Sequence, residues 1–149
     1  MEPAIVGLIL DTSFIVTAER SGQSVPQMLE VVGDAWGDTD LGISVITVAE
    51  LTHGVERAKS PEQRQRRLAF IGDLVEAVDV HPVTLEIARR TGTLSGQEAA
   101  RGVKLPFEDL LIGATALELG FEVVTENARD FEKIPNLTVK RSQGDPGKP

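Results

Sequence analysis

Six side chains with oxygen donors stand where the chain changes from apolar to polar: Asp11, Ser13, Glu50, Asp109, Asn127 and Asp130. Ionised carboxylates brought within a few ångströms raise one another's pKa unless positive charge lies between them. A hard divalent cation meets that need. Mg²⁺ or Mn²⁺ takes oxygen ligands, keeps several waters and pairs with phosphates. No cysteine is present, and His53 and His81 have no partner at metal-binding spacing, so nothing here selects zinc. A centre of this kind activates water and stabilises the charge on a phosphodiester under in-line attack.

The elements that position these groups follow from the pattern around each. Leu8, Ile9 and Leu10 form an apolar run without polar alternation, as in a strand buried on both faces of a parallel sheet. Asp11 ends that strand, and in open α/β sheets ligands bind in the crevice beyond such strand ends. Asp11 also suits the N-cap of the helix that follows, expected to start at Thr12 or Ser13 and run to Ala18. Glu50 likewise has two readings. With Thr47 as N-cap it completes a capping box, which the tetrapeptide taken alone favours. Alternatively it opens a helix after a second strand at 41–45 and faces the same crevice. Asp109 shares a first helical turn with Glu108; compensation of the helix dipole accounts for one acid and leaves the other over. Asn127 and Asp130 follow a further strand at 121–125.

Between these points the chain alternates helices and short strands. The polar run from Ser21 to Ser24 ends the helix expected to reach Ala18, and Pro26 suits the first turn of the next, over 25–36, with Met28, Leu29, Val32 and Trp36 at helical spacing as core. Ser60 and Pro61 start another to about residue 78, with Leu68, Phe70, Ile71, Leu74 and Val75 inward. Strands are expected at 78–80 and 137–139, and a helix over 84–102 with Leu85, Ile87, Ala88 and Leu94 apolar. The five phenylalanines mostly fit the core, so no platform for stacking bases is evident. The reading is one α/β domain over 1–141 with a central parallel sheet, followed by a polar tail at 142–149 expected to be disordered.

At 149 residues the chain can bury a substantial core. Its net charge of −8 argues against a general nucleic-acid coat protein. Even so, Arg57, Lys59, Arg64, Arg66 and Arg67 crowd one segment, and such a flank can guide a phosphate chain where a cation offsets the acids. The apolar runs are too short to span a bilayer and no signal peptide is visible, so a cytoplasmic protein is the default. A Gly-rich phosphate loop and the Gly-x-Ser-x-Gly elbow of hydrolases are both missing, and Ser13 stands where an aspartyl phosphatase would need its second Asp.

Four blocks in order then resemble a known family: Leu8 to Ser13, Ile46 to Leu51 with Gly54 and Val55, Asp109 to Leu117, and Val124 to Phe131. Together they are similar to PIN-domain ribonucleases, specifically the VapC-like toxins of bacterial type II toxin–antitoxin systems. The resemblance implies a three-layer α/β/α sandwich with a parallel sheet of four to five strands. It also implies Mg²⁺- or Mn²⁺-dependent cleavage of RNA, frequent homodimerisation and inhibition by a cognate antitoxin protein. By block, Asp11, Glu50 and Asp109 match the acidic metal-site positions, and Ser13 the small hydroxyl residue beside the first. Two departures stand out. Asn127 occupies a position where many relatives carry Asp, with Asp130 three residues on, and Gly113 replaces a common alanine, with an effect expected on packing only. The uncharged Asn127 keeps open a second reading, a catalytically weak PIN-like module that binds protein. Cleavage of DNA flaps is a third, but the segments expected for gripping duplex are missing.

Overall fold

Leu8, Ile9 and Leu10 are fully buried because helices cover both faces of the strand they form. The computed structural model describes residues 5–141, so the tail expected over 142–149 lies outside the described residues. The elements run β1 (Gly7–Leu10), α1 (Thr12–Arg20), α2 (Val25–Trp36), β2 (Asp40–Ser44), α3 (Val45–Glu56), α4 (Pro61–Ala77), β3 (Asp79–His81), α5 (Leu85–Ala100), α6 (Phe107–Leu119), β4 (Glu122–Thr125), α7 (Ala128–Phe131) and β5 (Val139–Arg141). The five strands form one parallel sheet in the order β3-β2-β1-β4-β5. This is the expected α/β/α sandwich. Successive strand residues point to opposite faces, so Leu8 and Leu10 join Phe14, Met28, Val32 and Leu74 in one core, while Ile9 joins Ile87, Leu110, Ile112 and Phe131 in the other.

The strand order locates the crevice. From β1 the chain winds outward through β2 and β3, then returns to place β4 on the other side of β1. The winding reverses between β1 and β4, and ligand crevices of open α/β sheets lie at such a reversal. The backbone N–H of Asp11 donates to Val124 O at 2.9 Å, carrying the ladder one residue past β1 toward the end of β4.

Several boundaries differ from expectation for local reasons. Ser44 is itself a good N-cap, so β2 stops there and Val45 enters α3. The third and fifth strands lie at 79–81 and 139–141 rather than 78–80 and 137–139. Leu68 and Val75, spaced seven apart, share the outer stripe of α4 and are exposed, while Phe70 and Leu74 face the core. Leu85, the first residue of α5, is exposed as well. A Cβ at Gly113 would fall 2.6 Å from Ile134 Cδ1, the mobile end of a side chain, so its effect is one of packing. Among the described residues no helix is long and apolar enough to cross a membrane.

Candidate active site

Asp11 leaves β1 in extended conformation (φ −75°, ψ 153°) and caps α1, so the capping reading is realised. It is also buried, at 3% exposure, and held by more than a cap. Ser13 Oγ donates to its Oδ2 at 2.6 Å, Thr125 Oγ1 donates at 2.8 Å, and the Ser13 backbone N–H lies at 3.4 Å. These bonds all converge on Oδ2; among the described residues Oδ1 receives none. Ser13 Oγ in turn accepts from the Glu126 backbone at 3.1 Å, and Thr125 Oγ1 from the Asn127 backbone at 2.8 Å. Ser13 therefore ties the end of β1 to the loop after β4.

Glu50 corrects the capping box. The N-cap of α3 is Ser44, whose side chain accepts from Ile46 N–H at 3.0 Å, so Thr47 lies inside the helix and Glu50 in its second turn. Instead, Glu50 Oε1 accepts from Thr12 Oγ1 at 2.7 Å, and Thr47 Oγ1 lies 3.0 Å from the same Thr12 oxygen. Burial raises the Glu50 pKa; the Thr12 bond opposes this, and the charges of Asp11 and Glu108 add to the rise.

Asp109, third in α6, is pushed up to about 7, first by burial and then by the charges of Asp11, Glu50, Asp130 and Glu108. The sequence-predicted acids thus come within electrostatic reach of one another, together with Glu108. None of Asp11, Glu50, Glu108 or Asp109 has a cationic partner among the described ion pairs. Asn127 Nδ2 donates to Asp130 Oδ2 at 2.9 Å, so the two side chains form one unit, and Lys133 Nζ lies 3.5 Å from Asp130 Oδ1.

These donors are all oxygens and carry excess negative charge, which suits a hard cation. As placed, no three His, Asp or Glu side chains among the described residues are gathered closely enough to hold a metal ion.

An open groove of about 850 Å³ runs alongside. Thr12, Val16 and Arg20 line it from one stripe of α1, and Glu50 and His53 from α3 with Arg57 at its C-cap. Lys59 and Arg67 add positive charge, and Phe107 and Glu108 close the side formed by α6. Of the expected basic cluster, Arg57, Lys59 and Arg67 reach the groove. Arg64 is paired with Glu56 at 2.5 Å and, like Arg66, is not part of the lining. Arg20, Thr12 and Thr125 escaped the sequence reading. The spacing of four between Thr12, Val16 and Arg20 was a signal that could have found two of them.

Residues 8–137 match the PIN domain, a span that begins in β1 and includes every candidate site residue. The chain belongs to the PIN-domain family. Within it, the chain is 30% identical over 135 residues to a protein named Ribonuclease VapC from Rickettsia bellii, covering 90% of this chain and 95% of that one. It is 33% identical over 98 residues to the tRNA(fMet)-specific endonuclease VapC of Salmonella typhimurium, covering 66% of this chain and 72% of that one. Among solved structures, the VapBC2 complex of Rickettsia felis, bound to a DNA fragment from its promoter, matches with a TM-score of 0.75 and 26% identity over 91% of this chain and 98% of that one. The PIN-domain match thus takes in β1 from Leu8 through β4, the acidic cluster and the groove.

Proposed function

We propose that this PIN-domain chain is an endoribonuclease that uses Mg²⁺ or Mn²⁺ and acts as the toxin of a toxin–antitoxin pair. One observation carries the reading: at the end of the sheet where the winding reverses, burial and the charges of neighbouring acids hold the Glu50 and Asp109 carboxyls above their ordinary range, and none of Asp11, Glu50, Glu108 and Asp109 has a cationic partner among the described ion pairs. Asp11, Glu50 and Asp109 would hold the cation, which, when bound, supplies positive charge beside the scissile phosphate and lowers the pKa of water. Ser13 and Thr125 fix Asp11 Oδ2 and thereby turn Oδ1 toward the ligand. Thr12 fixes one oxygen of Glu50. Asp130, held by Asn127 and paired with Lys133 at 3.5 Å, adds to the negative charge felt by Asp109. Arg20, Arg57, Lys59 and Arg67 offset the acids along the groove and guide the RNA backbone.

The VapC relatives support the assignment to the toxin, and with it a cognate antitoxin protein, a homodimer and a cytoplasmic setting, in one domain ending near residue 141. The test is cleavage of a single-stranded RNA by the purified chain in Mn²⁺ or Mg²⁺. Cleavage that stops with chelator and in Asp11→Asn is expected; RNA that stays intact across a full manganese titration overturns the reading and favours the protein-binding module.

A further inference from the structure

Phe107 is 55% exposed, the one exposed phenylalanine or tryptophan among the described residues; the exposed His53 lines the α3 side of the same groove. The Phe107 ring is not surplus to an apolar patch. It is the first residue of α6, two before Asp109, and it lines the groove on the same helix face as Glu108 and Leu111. The same groove carries Glu50 from α3, and Arg57 and Lys59 supply its positive charge. A single nucleic-acid strand presents two things to a protein at each step, a phosphate and the flat face of a base. The groove has cations for the first, acids for the reacting phosphate, and an exposed phenyl ring two residues before Asp109.

We propose that Phe107 stacks against one base of the bound RNA and so sets which phosphate lies at the acidic cluster. The inference rests on the endoribonuclease reading and adds to it a residue that fixes the register of the strand. Stacking on an aromatic ring tolerates every base, because each has a π face, but it requires a base free of its own neighbours. The substrate feature recognised here is therefore an unpaired nucleotide next to the cleaved bond.

The test uses RNA octamers carrying 2-aminopurine at one position at a time, titrated with the full chain in an Asp11→Asn background with Mg²⁺, so that the strand stays intact. Fluorescence quenching at one position is expected, together with its loss and a roughly 10-fold weaker binding in Phe107→Leu, the size expected for one base stack. Phe107→Tyr should restore both. An abasic site at the quenched position should weaken binding to the Phe107 protein by a similar factor and add nothing in Phe107→Leu. Unchanged quenching and affinity in Phe107→Leu overturn the proposal, as does the lack of a quenched position with Phe107 present. A Phe107→Leu effect confined to capture of the antitoxin also overturns it, in favour of a protein contact. Failure of the nuclease reading is read separately, as intact RNA when the chain with Asp11 in place is given Mn²⁺.

Discussion

Thr12 Oγ1 donates to Glu50 Oε1 at 2.7 Å, joining the first turn of α1 to the second turn of α3. The bond holds a half-buried carboxylate whose pKa is raised by burial and by the charges of Asp11 and Glu108. A hydrogen bond to the ionised form opposes that rise. Thr12→Val should therefore move Glu50 further up. The expected result is an acidic limb of the cleavage-rate profile displaced to higher pH, and a loss of roughly 10-fold at pH 6, of the order general acid–base perturbations produce. Thr12→Ser should retain the parent profile. A Thr12→Val profile that overlays the parent would separate Glu50 from the rate.

Asp11 offers a cleaner separation of fold from chemistry. Its Oδ2 accepts from Ser13 and Thr125, and an asparagine carbonyl in the same place can accept the same bonds. Asp11→Asn should lower cleavage by ~10²-fold or more, as removal of a group acting directly on developing charge does, with an unchanged circular dichroism spectrum. Thr125→Val has the opposite emphasis. It removes both a buried donor to Asp11 and the acceptor for Asn127 N–H, and should cost about 1–3 kcal/mol of stability by denaturant unfolding.

The acidic cluster makes stability depend on pH in the direction opposite to most carboxylates. Asp109 is raised from 3.8 to about 7, so the folded chain binds a proton that the unfolded chain has released. Its contribution is fully present below pH ~4 and is lost as pH rises through about 7. Because Asp109 is only partly buried, solvent screening reduces the effect. Asp109→Asn should raise the metal-free Tm at pH 8 by roughly 2–4 °C, the shift that ~1 kcal/mol gives at this chain length, and abolish cleavage. Mn²⁺ should raise the Tm of the parent chain more at pH 8 than at pH 5. Equal manganese shifts at both pH values would place the ion away from Asp109.

How far the sequence reveals all this depends on the range of each interaction. The apolar run 8–10 and the Pro26 and Ser60–Pro61 starts are local signals, and β1, α2 and α4 form where those signals point. Asp11 was legible because it ends a strand. The partner of Glu50 was not, since Thr12 lies 38 residues away and a local rule offered Thr47 instead. That rule lost to Ser44, an equally good cap three residues earlier. Phe107 reads as core by type, and only the tertiary arrangement leaves it in the groove.

The groove cations should separate by their surroundings. Arg57 and Lys59 line the groove without a described ion pair, whereas Arg64 is engaged by Glu56 on the exposed surface. Arg57→Ala and Lys59→Ala should each raise KM for RNA and reduce the slope of log affinity against log salt by about 0.7, the value for one single-strand phosphate contact. Arg64→Ala should leave the slope unchanged and stability within ~1 kcal/mol.

Asn127 stands where the resemblance leads one to expect Asp, and its bond to Asp130 says what an amide does there. Asn127 Nδ2 donates to Asp130 Oδ2 at 2.9 Å, and the Asp130 charge is one of those that raise Asp109. An aspartate at 127 would replace that donor with a second anion beside Asp130. Asn127→Asp should therefore lower the metal-free Tm at pH 8, yet lower the manganese concentration for half-maximal cleavage, because the added charge strengthens the pull on a cation. Asp130→Asn removes charge from the same pair and should raise that concentration. If both substitutions move the manganese midpoint in the same direction, the pair acts through the loop after β4 and not through its charge.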